Sequence, residues 1–290
     1  MKLKNKSMLT ALSALLVSSS AMAQSVDLTM KWKAGRQYDI KQSIKMDTKM
    51  PNPQGGADIN QKMNIGMGMG GASSVDEKGI VVDMKITTLS MNVSMSGAVL
   101  MSYDSTKPDQ DNPMDSVMAP LLELKFKSLY GKDGKFIELK NFDEEMLTPD
   151  MGLTRESLES VMKQQAEMIP NREVKVGETW NSTLITPMQG FEGVFSCNYD
   201  FKLVSVKKVN GRQIAKIQYT ADMKNVKVKQ KGMDMMLSAK NIDGYYLFDV
   251  KDGQFTESKS FFDMVADVQG TKMMLKMNMK INFRNSPLKK

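Results

Sequence analysis

Thr271 to Phe283 reads T-K-M-M-L-K-M-N-M-K-I-N-F. Its odd positions are Met273, Leu275, Met277, Met279, Ile281 and Phe283, and its even positions from 272 onward are Lys272, Met274, Lys276, Asn278, Lys280 and Asn282. Successive side chains of a strand point to opposite faces, so this stretch is a strand with one thioether and aliphatic face and one mostly of lysine and asparagine. In that register, Met277→Asp buries a charge and should cost several kcal/mol. Lys276→Asp stands in water and should change stability by roughly 0.5 kcal/mol or less.

The pattern recurs outward from this stretch. In Arg36–Met50, Ile40, Ile44 and Met46 share one parity, against Lys41, Ser43, Lys45, Asp47 and Lys49. In Asn60–Gly70, Met63, Ile65, Met67 and Met69 share a face, and Gly66 and Gly68 opposite invite close approach of another backbone. Ile80–Ser90 and Met91–Gly97 read as further strands. Hairpin signals follow at Gly131–Gly134, at Asn210-Gly211 and at Lys251-Asp252-Gly253, and Gln269-Gly270 leads into the opening stretch. Asp104–Pro120, rich in Asp, Pro and Ser, reads as a long exposed loop. Thr154–Met168 carries a helical stripe of Leu158, Val161, Met162, Gln165 and Met168, ended by Pro170. The fold class is therefore mainly β: curved antiparallel sheets, one or two half-barrel-like lobes, around one central α-helix. The expected layout is a leader over 1–23, an N-terminal β lobe over 24–148, the helix segment over 149–170 and a C-terminal β lobe over 171–290. The two lobes either stand apart or merge into one domain. Trp32…Tyr38 and Val176…Trp180 open the halves in similar ways, a hint of duplication.

The first residues give the compartment. Lys2, Lys4 and Lys6 precede a short apolar run, Met8–Val17, and then Ala21-Met22-Ala23. That order is a secretory signal peptide cleaved after Ala23, placing the mature protein in the periplasm or outside the cell. No later segment has the apolar length of a membrane span.

Composition narrows the chemistry. The chain holds no histidine and one cysteine, Cys197. Ser-His-Asp and Cys-His catalysis and histidine-containing zinc sites are thereby excluded, and no intramolecular disulfide can form. The net charge of +7 is compatible with an anionic partner without implying one. The stripe Lys224, Lys227, Lys229, Lys231 lacks interleaved aromatics for base stacking and reads as a solvated strand face, so no nucleic-acid partner is expected. Glycosidase chemistry needs two carboxylates facing across a cleft, and the consecutive acids Asp143, Glu144 and Glu145 read instead as a solvated run.

Methionine is the anomaly, at 29 residues. Three uses fit it: packing in place of Leu, Ile and Val, an adaptable apolar ligand face, or soft-metal and oxidant chemistry through the thioethers. The candidate ligand-binding residues are Met63, Met67, Met69, Met273, Met277 and Met279. No catalytic residue, metal ligand or cofactor site is assigned.

The leader, the W-x-x-G-x-x-Y motif (Trp32, Gly35, Tyr38), the G-K-D-G hairpin, the central helix, Val174–Trp180 and Gly244–Gly253 together resemble an uncharacterised family of exported bacterial β-rich proteins. The layout is also similar to the half-barrels of periplasmic lipoprotein and lipid carriers. The resemblance implies an exported, non-enzymatic protein, with a lipid or other apolar small molecule on a concave Met-rich face as the first expectation. A structural or envelope-interaction protein and a thioether metal-binding or oxidant-buffering protein are the alternatives.

The leader reading is tested by the intact mass of the exported protein, which should start at Gln24. A mature chain that retains Lys2, Lys4 and Lys6 would overturn the compartment.

Overall fold

Alternating strands of this length pair with one another because each must bury one face and satisfy its backbone. The computed structural model describes residues 24–52, 54–107, 112–142, 154–187, 194–223, 225–230 and 233–288. The proposed cleavage site at Ala23, the boundary at 148/149 and Asp143–Glu145 lie outside them.

Among the described residues thirteen strands form one antiparallel sheet. The N-terminal part is β2 (Arg36–Met50), β3 (Ile59–Asp76), β4 (Gly79–Met95), β5 (Ala98–Asp104), β6 (Lys125–Tyr130) and β7 (Phe136–Lys140). The C-terminal part is β9 (Thr179–Pro187), β10 (Val194–Val209), β11 (Arg212–Met223), β12 (Val226–Gln230), β13 (Met233–Asp249), β14 (Gln254–Val268) and β15 (Thr271–Pro287). The spatial order is β7-β6-β4-β3-β2-β15-β14-β13-β11-β10-β9, with β5 on β4 and β12 on β13. The last strand, β15, thus lies in the middle, between β14 and β2. A small second sheet pairs β1 (Ser25–Leu28) with β8 (Arg172–Lys175) and inserts Val26, Leu28 and Val174 into the core.

There are two helices among the described residues. α2 (Arg155–Glu167) is the expected one. α1 (Asp115–Glu123) replaces part of the loop expected over Asp104–Pro120. Asn112 and Pro113 precede it, Asp115 stands in its first turn and Pro120 inside it, and Leu121 and Leu122 pack against the core.

The sheet is not closed into a barrel, yet it is strongly curled. Laid flat, the strands between β7 and β9 would span roughly 48 Å at the usual interstrand spacing. Instead α2, only about 10–12 Å wide, hydrogen-bonds to both edges. On one side Arg155 Nη1 donates to the Leu139 carbonyl at 2.8 Å. On the other, Ser160 Oγ donates to the Ile185 carbonyl at 3.4 Å, and the Gln164 amide donates to the same oxygen. The helix thus satisfies edge groups that would otherwise template pairing with another chain.

Bulges keep the apolar face inward. On β4, Val82, Met84 and Ile86 are buried, and then Leu89 and Val93. The parity switches at the register shift opposite Gly68/Met69. Ile80–Ser90 and Met91–Gly97, read as separate strands, are one continuous strand on β3, which ends at Met95. The close approach expected at Gly66 and Gly68 is made by side chains. A Cβ there would lie within 3 Å of the Ser90 and Thr88 hydroxyls. The hairpin at Asn210-Gly211 has both residues at positive φ, 49° and 79°, the two-residue turn whose twist matches its strands.

On β15 the lysines Lys272 and Lys276 are exposed, and Met273, Leu275, Met277 and Met279 are half-buried on the other face. The register is as expected, but the apolar face is only partly covered. Met277→Asp should therefore cost about 1–3 kcal/mol, less than a full core burial. Lys276 stands directly between Asp263 and Asp47. Lys276→Asp should then cost about 1 kcal/mol through like-charge pairs, where Lys276→Gln stays within roughly 0.5 kcal/mol. Chemical denaturation of the three variants checks the order.

A charged cluster ties the first strands to the β13–β14 turn. Lys33 Nζ lies 2.9 Å from Asp252, Arg212 pairs with the same carboxylate, and Arg36 is at 4.0 Å. The buried Asp249 Oδ2 lacks a well-angled hydrogen bond, but Arg212 Nε lies 2.5 Å away and pairs its charge. Burial opposes ionisation of Asp252. The Lys33 hydrogen bond and the Lys33, Arg212 and Arg36 charges outweigh it and hold its pKa below the ordinary 3.8. A lowered carboxyl pKa adds stability that is complete above 3.8 and disappears as pH falls through the folded value. Asp252→Asn should lower stability by about 1–2 kcal/mol at pH 7. The gap from wild type should shrink once the pH drops below 3.8, in melts recorded across pH.

Candidate apolar binding site

The inner face of the sheet carries two kinds of apolar surface. On β9–β14 it is aromatic: Tyr199, Phe201, Tyr219, Tyr246 and Phe255 touch in a chain with centroid separations of 4.9–5.9 Å. Gly244 makes part of this possible. A Cβ there would lie 2.4 Å from the Tyr219 hydroxyl, which crosses β13 to donate to Ser260 Oγ on β14 at 2.5 Å. Burial pushes the Tyr219 hydroxyl up to about 12, so it stays a donor across the physiological range. This half is closed.

On β15, β2, β3 and β4 the same face is built of thioethers and aliphatics. In register, Met277 stands opposite Met46, Met46 opposite Met63, and Met63 opposite Val93. The next row is Met279, Ile44, Ile65 and Met91. Most of these are half-buried. Met279 Sδ accepts a hydrogen bond from Gln42 Nε2 at 3.3 Å.

Further along this face the sheet and α2 enclose a cavity of about 300 Å³, at the lower end of the size of small-molecule pockets. Its floor includes Met67, Met69, Ile40 and Ile281, and its roof is the α2 stripe Leu158, Val161 and Met162. The far wall is Trp32, stacked on Tyr130 at 4.0 Å and packed against both hydrophobic clusters. The polar groups around it are the amides Gln42, Gln165, Gln254 and Asn285, with one charge, Arg284. Gln254 already donates to the Lys31 carbonyl, and Asn285 accepts from Arg36. The roof is held by the edge bonds described above, by Ser128 Oγ donating to Met162 Sδ at 3.3 Å, and by Trp180 Nε1 donating to the Met168 carbonyl at 3.0 Å.

Of the six methionines singled out in the sequence, Met67 and Met69 line the cavity. Met63, Met277 and Met279 lie on the same face beyond it, and Met273 packs at the margin of the C-terminal cluster. Sequence reasoning missed Trp32, Met84, Phe126 and Phe283, which also line it. It read the α2 stripe correctly as a helix face, and that stripe was the available signal for a roof. Cys197 is 1 % exposed, and burial pushes its thiol up to about 11, so it has no thiolate for nucleophilic work near neutrality.

Comparison with known proteins adds little specificity. No family model matches the chain, and no curated protein matches it. Among solved structures, it is similar to an outer membrane channel from Pseudomonas putida F1, at 8% identity and TM-score 0.26, covering 88% of this chain and 98% of that one. It is also similar to a Bacteroides fragilis protein described as exported with a YmcC-like fold, at 9% identity and TM-score 0.19, covering 87% and 96%. A third is an outer membrane lipoprotein-sorting protein domain from Vibrio parahaemolyticus, at 11% identity and TM-score 0.16, covering 84% and 85%. All three are described as exported or outer-membrane-related proteins. Scores this low carry no inference about function. Neither helix among the described residues is long and apolar enough to cross a membrane.

Proposed function

We propose that this is an exported, non-enzymatic binding protein that holds an apolar ligand, such as a lipid acyl chain, between α2 and the sheet. The open face bearing Met63, Met273, Met277 and Met279 is the continuation of that site. The observation that carries the reading is a preformed apolar cavity continuous with half-buried thioethers on three adjacent strands. A face that served only packing would be covered, as it is on β9–β14. Unbranched, polarizable methionines suit an adaptable apolar site, because they repack around ligands of different shape. The chain has no histidine and Cys197 stays protonated near neutrality, so the commonest acid–base side chain and a thiolate nucleophile are both missing.

Phenylnaphthylamine, a dye that brightens in apolar surroundings, should bind the purified protein. Native mass spectrometry of protein from its own host should show a co-purifying lipid-sized adduct. Met67→Glu puts a carboxylate in the cavity floor and should weaken dye binding about tenfold or more. Lys45→Glu, on the opposite face, should leave it unchanged. Absence of dye binding by folded wild type would remove the reading.

A further inference from the structure

The row Met277–Met46–Met63 is more than an apolar surface. Each of three neighbouring strands places methionine at the same level, in direct register. β-branched and aromatic residues fit a pleated surface best, and Ile44, Ile65 and Val93 show that this sheet uses them nearby. Besides a flexible stem, what methionine adds over leucine or isoleucine of similar bulk is the chemistry of its sulfur. All three side chains are half-buried. Met84, Met223 and Met264, by contrast, are only 6%, 4% and 9% exposed.

We propose that Met46, Met63 and Met277 are an oxidation site that switches the apolar groove off. The proposal rests on the ligand reading above and adds its regulation. The oxidant is a hydroperoxide, with hydrogen peroxide the simplest case. The thioether sulfur attacks one peroxide oxygen, the O–O bond breaks, an S=O bond forms, and the other oxygen leaves as water from hydrogen peroxide or as an alcohol from an organic hydroperoxide. Sulfur loses two electrons and the peroxide gains them. A methionine sulfoxide reductase reverses the step, with a dithiol oxidised to a disulfide and the oxygen lost as water.

The row makes oxidation consequential. Directly opposite side chains have Cβ atoms about 4.5–5.5 Å apart, so three sulfoxides would lay a polar band across β15, β2 and β3. A sulfoxide is a strong dipole and acceptor, and an apolar ligand that covers it leaves it without a hydrogen-bond partner. By register the band lies two rows from Ile281, Gln42 and Met67 of the cavity, on the face along which the proposed ligand continues. Met274, on the lysine face of β15 and 39% exposed, offers an internal control. It has the same chemistry and no place in the groove.

The test uses the full exported chain and phenylnaphthylamine. Graded peroxide treatment followed by peptide mass mapping should oxidise Met46, Met63, Met277 and Met274 well before Met84, Met223 and Met264. Dye affinity should fall about tenfold or more as the row is oxidised, and sulfoxide reductase should restore it. The triple variant Met46→Leu, Met63→Leu, Met277→Leu keeps the row apolar without its sulfurs, so whatever dye affinity it starts with should not fall after the same treatment, although its Met274 is oxidised. Undiminished dye binding by protein mapped as fully oxidised in the row would overturn the proposal. So would resistance of the row while Met274 reacts, or an equal loss of affinity in the leucine variant. Wild type that never binds dye would sink the ligand reading itself, and this one with it. Dye binding that ignores oxidation sinks the switch alone.

Discussion

The structure depends on the pairing of β15 with β2. Arg36–Met50 runs antiparallel to Met274–Pro287, and this backbone ladder is the seam between the strands that precede α2 and those that follow it. Without it, β2 and β15 would each be left with an unpaired edge. The contact joins residues close to opposite ends of the described chain, so closing it costs loop entropy that no local interaction offsets in advance. The two flanking devices act on the same seam. Trp32 packs against both hydrophobic clusters, and the Lys33–Asp252–Arg212 cluster fastens the residues ahead of β2 to the turn that opens β14.

On either side of the seam one face of one sheet is finished differently. The C-terminal strands fill it with interlocking aromatic rings, each large, stiff and held in place by its neighbours. The strands around β2 and β3 fill it with methionine, whose three rotatable bonds leave a surface that can be reshaped. The first half behaves as a core, and the second as a core with one side left open. α2 sits over the change from one to the other. It is anchored at Leu139 on β7 and Ile185 on β9, and its stripe of Leu158, Val161 and Met162 turns the open side into a cavity. The helix therefore has two tasks that share one geometry: it blocks both edges of an unclosed sheet, and it roofs the apolar face.

Several features were legible from residues alone because they are local. The two faces of Thr271–Phe283 follow from a period of two, the Asn210-Gly211 turn from backbone conformations few other residues adopt, and the α2 stripe from a period of 3.6. α1 was missed because Asp115, Ser116 and Pro120, which read as loop residues, stand inside it, where an acid in the first turn suits the helix N-terminus. That Ile80–Ser90 and Met91–Gly97 belong to one strand was not legible, because their continuity rests on pairing with β3. The bulge between Ile86 and Thr88 lies inside the first segment, and Leu89, Met91 and Val93 keep one parity across the point of division.

What the sequence determined by itself was class and chemistry: a two-faced β protein, rich in thioethers, without histidine and with a leader-like first segment. Each rests on residue identity or on spacing within one strand, where covalent geometry sets the outcome. Only the tertiary structure decided that the last strand lies in the middle of the sheet, that Met277, Met46 and Met63 stand side by side, and that Met67 and Met69 face the helix while Met63 and Met279 do not line the cavity. Those facts depend on which strands pair, in which register, and on how far the sheet curls before α2 bridges its edges. Strand pairing is a choice among near-equivalent backbone ladders, settled by the packing of the whole face and not by any one segment.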